Sequence, residues 1–226
     1  MVHWSARTLT QAIVMNVGIL GSGDVAKSLA SGFVRHGHGV TMGTRDASKL
    51  STFANEATVK VGSFADAAAA SEIVLLALHG QGTENALELA GPKSFRGKIV
   101  LDATNPLDFS KGMPPGLYVG TTDSLGERVQ RKLPEAKVVK CFNTVTHRSM
   151  IDPQFSEPVP MLICGNDAEA KRRTGELLQS LGWPGAFDVG DIAGARWLEA
   201  LVPLWVRAGV ALGLMGKGAW AFKVVT

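Results

Sequence analysis

Cysteine is almost absent from this 226-residue chain, and the two that occur, Cys141 and Cys164, each lie inside an apolar, strand-like segment. So sparse a pair excludes a disulfide framework or a zinc site and reads as buried, reduced thiols. Blocks of Lys/Arg and basic-aromatic stripes are missing too, so a net charge of +3 and a pI near 9.0 imply no nucleic-acid partner. No apolar run suits a membrane span, because the most apolar stretch, Leu198 to Met215, carries Glu199, Pro203 and Arg207. Residues 1–14, MVHWSARTLTQAIV, lack the long apolar core of a signal peptide and read as an N-terminal extension. There is no internal repeat and no low-complexity linker. These absences predict a soluble cytoplasmic protein without a membrane partner.

What is present is a 46% hydrophobic composition, enough for a sizeable core, and one stretch, Asn16 to Asp46, that reads as strand, glycine turn, helix, strand and basic turn. The apolar run Val17 to Leu20 feeds Gly21-Ser22-Gly23-Asp24-Val25-Ala26, and a helix-compatible segment follows to about His36. That order is the G-x-G-x-x-A form of the dinucleotide-binding fingerprint. Gly21 allows the tight turn, Gly23 lets a pyrophosphate approach the backbone, and Ala26 lets the helix pack closely on the strand. The N–H groups of Ser22 to Val25 would then hold the phosphates.

After the strand Gly39 to Met42, the position where an NAD enzyme carries an acid on the ribose is occupied by Gly43-Thr44-Arg45. A carboxylate there would repel a 2'-phosphate, whereas a guanidinium makes paired, charge-assisted hydrogen bonds to it. Thr44 adds a hydroxyl, and Lys49 lies about one helical turn beyond Arg45. The cofactor implied is NADP(H). In the competing reading Asp46 is the ribose-binding acid, but Asp46 more naturally caps the next helix.

Further along, Ser71 to Leu78 is a near-continuous apolar strand, which fits a parallel sheet covered on both faces. Its exit, Leu78-His79-Gly80, should border the cofactor, since open α/β sheets bind ligands at the carboxyl ends of their strands. The strand from Gly97 ends in Asn105-Pro106, and the strand from Lys137 exits through Asn143-Thr144-Val145. Asn105 offers donor and acceptor to a carboxamide, and it could equally be an Asn-Pro turn. Gly112 to Gly120 reads as a mobile surface loop, Ser124 to Leu133 as an amphipathic helix, Pro160 to Cys164 as a strand, and Asp167 as the cap of a helix reaching Leu181. Alternating units of this kind predict an α/β, Rossmann-type doubly wound and mainly parallel sheet.

The tail differs. Trp197, Leu198, Leu201, Leu204 and Trp205 fall at helical spacings, which predicts a small C-terminal helical cap over residues 190–226, folded back over the cofactor face. The Rossmann domain then spans residues 15–189. The apolar stripe of the cap could bury itself in a homodimer.

GSGDVA at 21–26, GTRDASK at 43–49, LDATNPL at 101–107, VVKCFNTV at 138–145 and DVGDIAGARWLEAL at 188–201 together resemble the NADP-dependent oxidoreductases related to the reductase of the deazaflavin coenzyme F-420 (F420). The resemblance covers residues 15–225. It implies a Rossmann domain with a small C-terminal cap and 2'-phosphate recognition by Thr44, Arg45 and Lys49. Deazaflavin reductases of this group can carry His where Asn143 stands, and the FNT form also looks like the cytoplasmic domain of the six-transmembrane metalloreductases.

Three functions follow as expectations. In the first, hydride passes between NADP(H) and a deazaflavin or flavin-like acceptor, Leu78, His79, Asn105, Pro106, Asn143 and Thr144 position the rings, and no acid-base triad is needed. None is visible, since the candidate loops hold no compact Ser-His-Asp or Tyr-Lys set. In the second, a small imine or carbonyl is reduced, with His79, His147 or Lys140 as proton donor. Asn143 joins His79 and His147 as the candidate catalytic residues. In the third, the chain is a non-catalytic NADP-binding or sensing module.

Overall fold

The computed structural model describes residues 14–216 and 220–224. All but Val14 of the expected N-terminal extension lies outside the described residues, as do 217–219 and 225–226 of the tail.

β1 (Asn16–Leu20) leads through the glycine turn into α1 (Asp24–Arg35), whose Ala26, Leu29, Ala30 and Phe33 recur at helical spacing and are buried. β2 (Gly39–Gly43) follows, then a 3-10 turn over Ala47–Leu50, α2 (Ser51–Ala57) and β3 (Lys60–Gly62). The helix that follows Asp46 is therefore split in two. Thr58 ends α2 in the left-handed conformation at φ 56°. α3 (Phe64–Ala69) is closed by a reciprocal Ser63/Asp66 capping box, and β4 (Ile73–Leu76), α4 (Thr83–Ala90) and β5 (Ile99–Asp102) complete the central alternation.

Residues Gly112 to Gly120 are not simply a loop. β6 (Leu107–Asp108) and β7 (Gly116–Leu117) pair antiparallel, and the Tyr118 N–H donates to the Pro106 carbonyl at 2.9 Å. Beyond them come α5 (Leu125–Lys132), β8 (Lys137–Lys140), β9 (Met161–Gly165), α6 (Ala168–Ser180) and β10 (Ala186–Asp188). β8 ends at Lys140, and Phe142, in the left-handed region at φ 67°, turns the chain into the exit through Asn143.

The eight-stranded sheet has the order β10-β9-β8-β5-β4-β1-β2-β3. From β8 to β3 every pairing is parallel, the doubly wound order of dinucleotide-binding sheets. β9 reverses direction against β8, and β10 runs with β9. One core packs α1, α2 and α6 on one face of the sheet, and a second packs α3, α4 and α5 on the other. Val17, Ile19, Leu75 and Leu101 face the first core, while Leu20, Leu76, Val100 and Val138 face the second, as the two-residue period of a strand requires. Fully burying side chains such as Phe33 and Phe95 contributes about 1.5–3 kcal/mol each.

Register matters most for function. Gly43 pairs with Leu20, Leu20 with Leu76, Leu76 with Asp102 and Asp102 with Lys140, so the strands end in one row. Their exit loops open along a single edge. At the far end of that edge, α7 (Ala195–Ala211) follows a short 3-10 turn and buries Ala195, Leu198, Glu199, Val202 and Val206. Trp205 stacks on Trp220 with ring centroids 4.3 Å apart, so the described tail doubles back along the helix. Trp197 and Leu204 stay 65% and 55% exposed. No helix among the described residues is long and apolar enough to cross a membrane.

Candidate functional site

The first corner of the edge lies between the exits of β1, β2 and β4. Gly21 has φ 141°, and a Cβ on it would lie 2.1 Å from the Ala77 carbonyl oxygen, so only glycine turns the chain this close to the exit of β4. Gly23 is the N-cap of α1, makes no side-chain cap, and a Cβ there would meet nothing within 4 Å. No side chain caps the first N–H groups of α1, and the space beside Gly23 is open, the arrangement that admits phosphate oxygens. Asp24 and Val25 begin the helix behind this turn. Asp24 is exposed, and Val25 packs against the core.

A cavity of about 280 Å³ extends from the turn. Gly21, Ser22 and Gly23 form one wall, Thr44, Arg45 and Lys49 the second, and Leu78 and His79 the third. Asp46 is the one acid among the lining residues, and it is engaged: its Oδ1 accepts from Ser48 N at 3.0 Å and Ser48 Oγ at 2.5 Å. Those two bonds hold its carboxyl below the usual range. Asp46 therefore caps the 3-10 turn. Thr44 Oγ1 accepts from Asp46 N at 3.2 Å and shapes the turn that leaves Arg45 and Lys49 exposed. Glycine cradle, free helix N–H groups and paired cations together fit a phosphorylated dinucleotide.

The second corner lies between the exits of β5 and β8, under α7. Asn143 Nδ2 donates to Asn105 Oδ1 and to the Leu198 carbonyl, both at 3.0 Å, and Asn105 Nδ2 donates to the Asn143 carbonyl at 3.2 Å. Pro106 and Thr144 are buried beside them. Gly80 presses against this corner as well, since a Cβ on it would lie 2.2 Å from the Asn105 carbonyl oxygen and 3.1 Å from the Tyr118 hydroxyl. Burial raises the pKa of that hydroxyl.

Beneath these amides sits a charge cluster that motif reading passed over. Lys140 Nζ donates to Asp102 Oδ2 at 3.0 Å, to the Thr104 carbonyl at 2.5 Å and to Glu199 Oε1 at 2.7 Å. Asp102 and Lys140 are 0% exposed and Glu199 2%. Burial opposes the charge on Lys140, but the Asp102 and Glu199 carboxylates outweigh it and raise its pKa. With three protons committed, Lys140 has none to give a substrate, so its candidacy as proton donor falls. A signal existed: IVLD and KVVK end neighbouring parallel strands on opposite charges, and the register pairs those ends. Glu199 stood out only as a charge inside an apolar stretch.

Two further candidates lie apart. His147 Nδ1 is 2.7 Å from Ser28 Oγ, in a separate depression beside Lys27 and Arg148, so the structure does not bring it to the cavity. Cys141 and Cys164 are free and buried; burial pushes both thiols up, Cys164 to about 12. Among the described residues no cluster of His, Cys, Asp and Glu could hold a metal ion. The cap folds back over one end of this edge. α7 covers the exits of β5 and β8, and none of its residues lines the cavity.

The family model described as NADP oxidoreductase, coenzyme F420-dependent, matches residues 16–106. The F420-dependent NADP reductase of Methanocaldococcus jannaschii is 31% identical over 154 residues, 68% of this chain and 69% of its own length. A crystal structure assigned as an F420-dependent NADP-reductase from Arthrobacter sp. FB24 has a TM-score of 0.88 at 41% identity, covering 94% of this chain and 100% of its own. The chain belongs to the F420-dependent NADP reductase family. It is an NADP-dependent oxidoreductase with a Rossmann-type sheet. The metalloreductase STEAP3 of Rattus norvegicus is also similar, 32% identical over 88% of this chain, and this member of the reductase family spans 39% of that protein's length. Both resemblances read from the motifs are borne out.

Proposed function

We propose that the chain transfers hydride between NADP(H) and coenzyme F420, with a flavin as the nearest alternative ring. The carrying observation is the cavity that joins the open glycine turn to Arg45 and Lys49 while its one acid is already bound to Ser48. In this reading the N–H groups of Ser22, Gly23, Asp24 and Val25 hold the pyrophosphate, and Gly21 permits the turn. Thr44, Arg45 and Lys49 hold the 2'-phosphate. Leu78 and His79 pack along the nicotinamide side of the cavity, and Asn105, Pro106 and Asn143 orient the rings.

Bound NADPH supplies the hydride; the chain's residues supply placement. Both Asn side chains are tied to backbone carbonyls, so their orientation is set before any ligand arrives. No protein proton is required, which agrees with Lys140 being committed and His147 lying elsewhere. Reduction of a small imine or carbonyl is the second reading, and His79 is its proton donor, since of the three donor candidates it alone lines the cavity. Buried thiols at Cys141 and Cys164 support a cytoplasmic setting. The exposed Trp197 and Leu204 support a homodimer through α7.

The test is anaerobic NADPH oxidation with F420, FMN, ferric citrate and a cyclic imine in parallel. Turnover with F420 well above the others is the expected result. Turnover confined to the imine, lost in His79→Ala, moves the function to the second reading.

A further inference from the structure

We infer that Glu199 is a positioning residue for ring placement, acting through the carbonyl of its neighbour Leu198 on Asn143. The inference rests on the reading above that Asn143 orients a bound ring.

The orientation of the Asn143 amide follows from its partners. The Leu198 and Asn143 carbonyls can only accept, so each demands an N–H, which fixes Asn143 Nδ2 toward Leu198 and Asn105 Nδ2 toward the Asn143 backbone. Asn105 Oδ1 is then left to accept the second Asn143 N–H. Rotating either amide sets oxygen against oxygen. One atom is left over: Asn143 Oδ1 is buried and has no hydrogen-bond partner among the described residues. Asn143 is only 4% exposed, so a pre-aimed acceptor this well buried calls for a donor from a ligand. The preceding Phe142, at φ 67°, holds a conformation that persists only where its surroundings force it.

The ion cluster supplies that force. Asp102 accepts from the N–H of Thr104 at 2.9 Å and from its hydroxyl at 2.6 Å, and Thr104 precedes Asn105. Lys140 lies three residues before Asn143 on the same exit. Glu199 follows Leu198, and its two oxygens also accept the N–H groups of Leu125 and Gly126, both at 2.9 Å, at the start of α5. Each ion therefore sits next to one corner of the amide network above it. Glu199 has the widest reach, since it joins α7 to β8 and to α5 at once. Without its charge, Lys140 loses a partner, α7 loses its anchor, and the Leu198 carbonyl no longer fixes the amide.

The experiment compares Glu199→Gln, Asn143→Ala and the double variant, reading thermal midpoint, NADPH affinity, the emission of bound NADPH, and kcat with F420. Glu199→Gln should keep NADPH affinity within about threefold, since the phosphate and 2'-phosphate groups lie in the other corner, yet alter bound-NADPH emission and lower kcat by about tenfold to a hundredfold. Asn143→Ala should do the same, and the double variant should fall no further in kcat while its thermal midpoint drops below that of Asn143→Ala. Losses in kcat that multiply in the double variant, or unchanged emission and kcat in Glu199→Gln, overturn the inference. If Glu199→Gln does not fold, Glu199→Asp, which keeps the charge and shortens the arm, gives the same readings. A wild-type chain inactive with F420 would sink the acceptor assignment instead, and the emission of bound NADPH would still decide the role of Glu199.

Discussion

The two corners of the sheet edge treat charge in opposite ways. At the exits of β1 and β2, Arg45 and Lys49 stand exposed around a cavity whose single acid is bound to Ser48. At the exits of β5 and β8, Lys140 is wholly buried and gives all three protons to protein acceptors. Desolvating an ion is costly, so a buried one must be compensated by the protein itself, while an exposed one can wait for a ligand. The first corner therefore leaves its cations open to an anion, and the second spends its charges on holding one geometry.

The sharpest way to break this contrast is Lys140→Met. It leaves Asp102 and Glu199 buried without their counter-ion, and urea denaturation should show a loss of about 3–5 kcal/mol. A loss no larger than that of an exposed residue would mean that the cluster does not hold the second corner. In the first corner, Arg45→Ala should leave the urea midpoint unchanged but weaken NADPH by about 1.5–3 kcal/mol, roughly 10- to 150-fold in Kd, with NADH little affected. Equal weakening of both cofactors in fluorescence titrations would refute the assignment of Arg45 to the 2'-phosphate.

The second corner also has a half-buried rim. Arg196 binds Glu127 through two bonds, at 2.8 and 2.6 Å. The Arg196 guanidinium holds the Glu127 carboxyl below its ordinary value of 4.5; burial acts against it, and the Ser124 hydroxyl assists. A depressed carboxyl adds stability above its unfolded value and loses it as pH falls through the folded value. Arg196→Met should thus be about 1–2 kcal/mol less stable than wild type at neutral pH. Thermal midpoints taken from pH 7 downward should converge below pH 4.5, and a constant gap would assign the effect to packing. The smallest effect is Asp46→Ala, which removes an exposed cap and should cost about 0.5–1 kcal/mol. Its NADPH preference should persist; a selective loss of NADH binding would revive Asp46 as a ribose ligand.

Much of the first corner was legible because its chemistry is local. Gly21, Gly23, Thr44, Arg45 and Lys49 act through turns and a helix start, and short-range patterning encodes both. The second corner is assembled from three distant segments. Asn105 and Asn143 could be placed by the rule that ligands meet strand exits, but their bonds to each other and to Leu198 join residues 38 and 55 positions apart. Glu199 looked like a flaw in an apolar helix. His147 and Lys140 qualify as proton donors by residue type alone, and only their partners, Ser28 and the Asp102–Glu199 pair, show otherwise. β10 and the reversal of β9 escaped notice because strand direction depends on which edge is free, not on composition.

By itself, then, the sequence determined the central alternation of strands and helices, the glycine turn and the basic residues after β2, since each depends on backbone sterics and charge within a few residues. Only the tertiary structure decided that Asp102, Lys140 and Glu199 meet, that α7 lies over the exits of β5 and β8, and that one buried acceptor of Asn143 finds no partner among the described residues. Those facts depend on strand register and helix docking, and burial turns a chance meeting of charges into a constraint on the site.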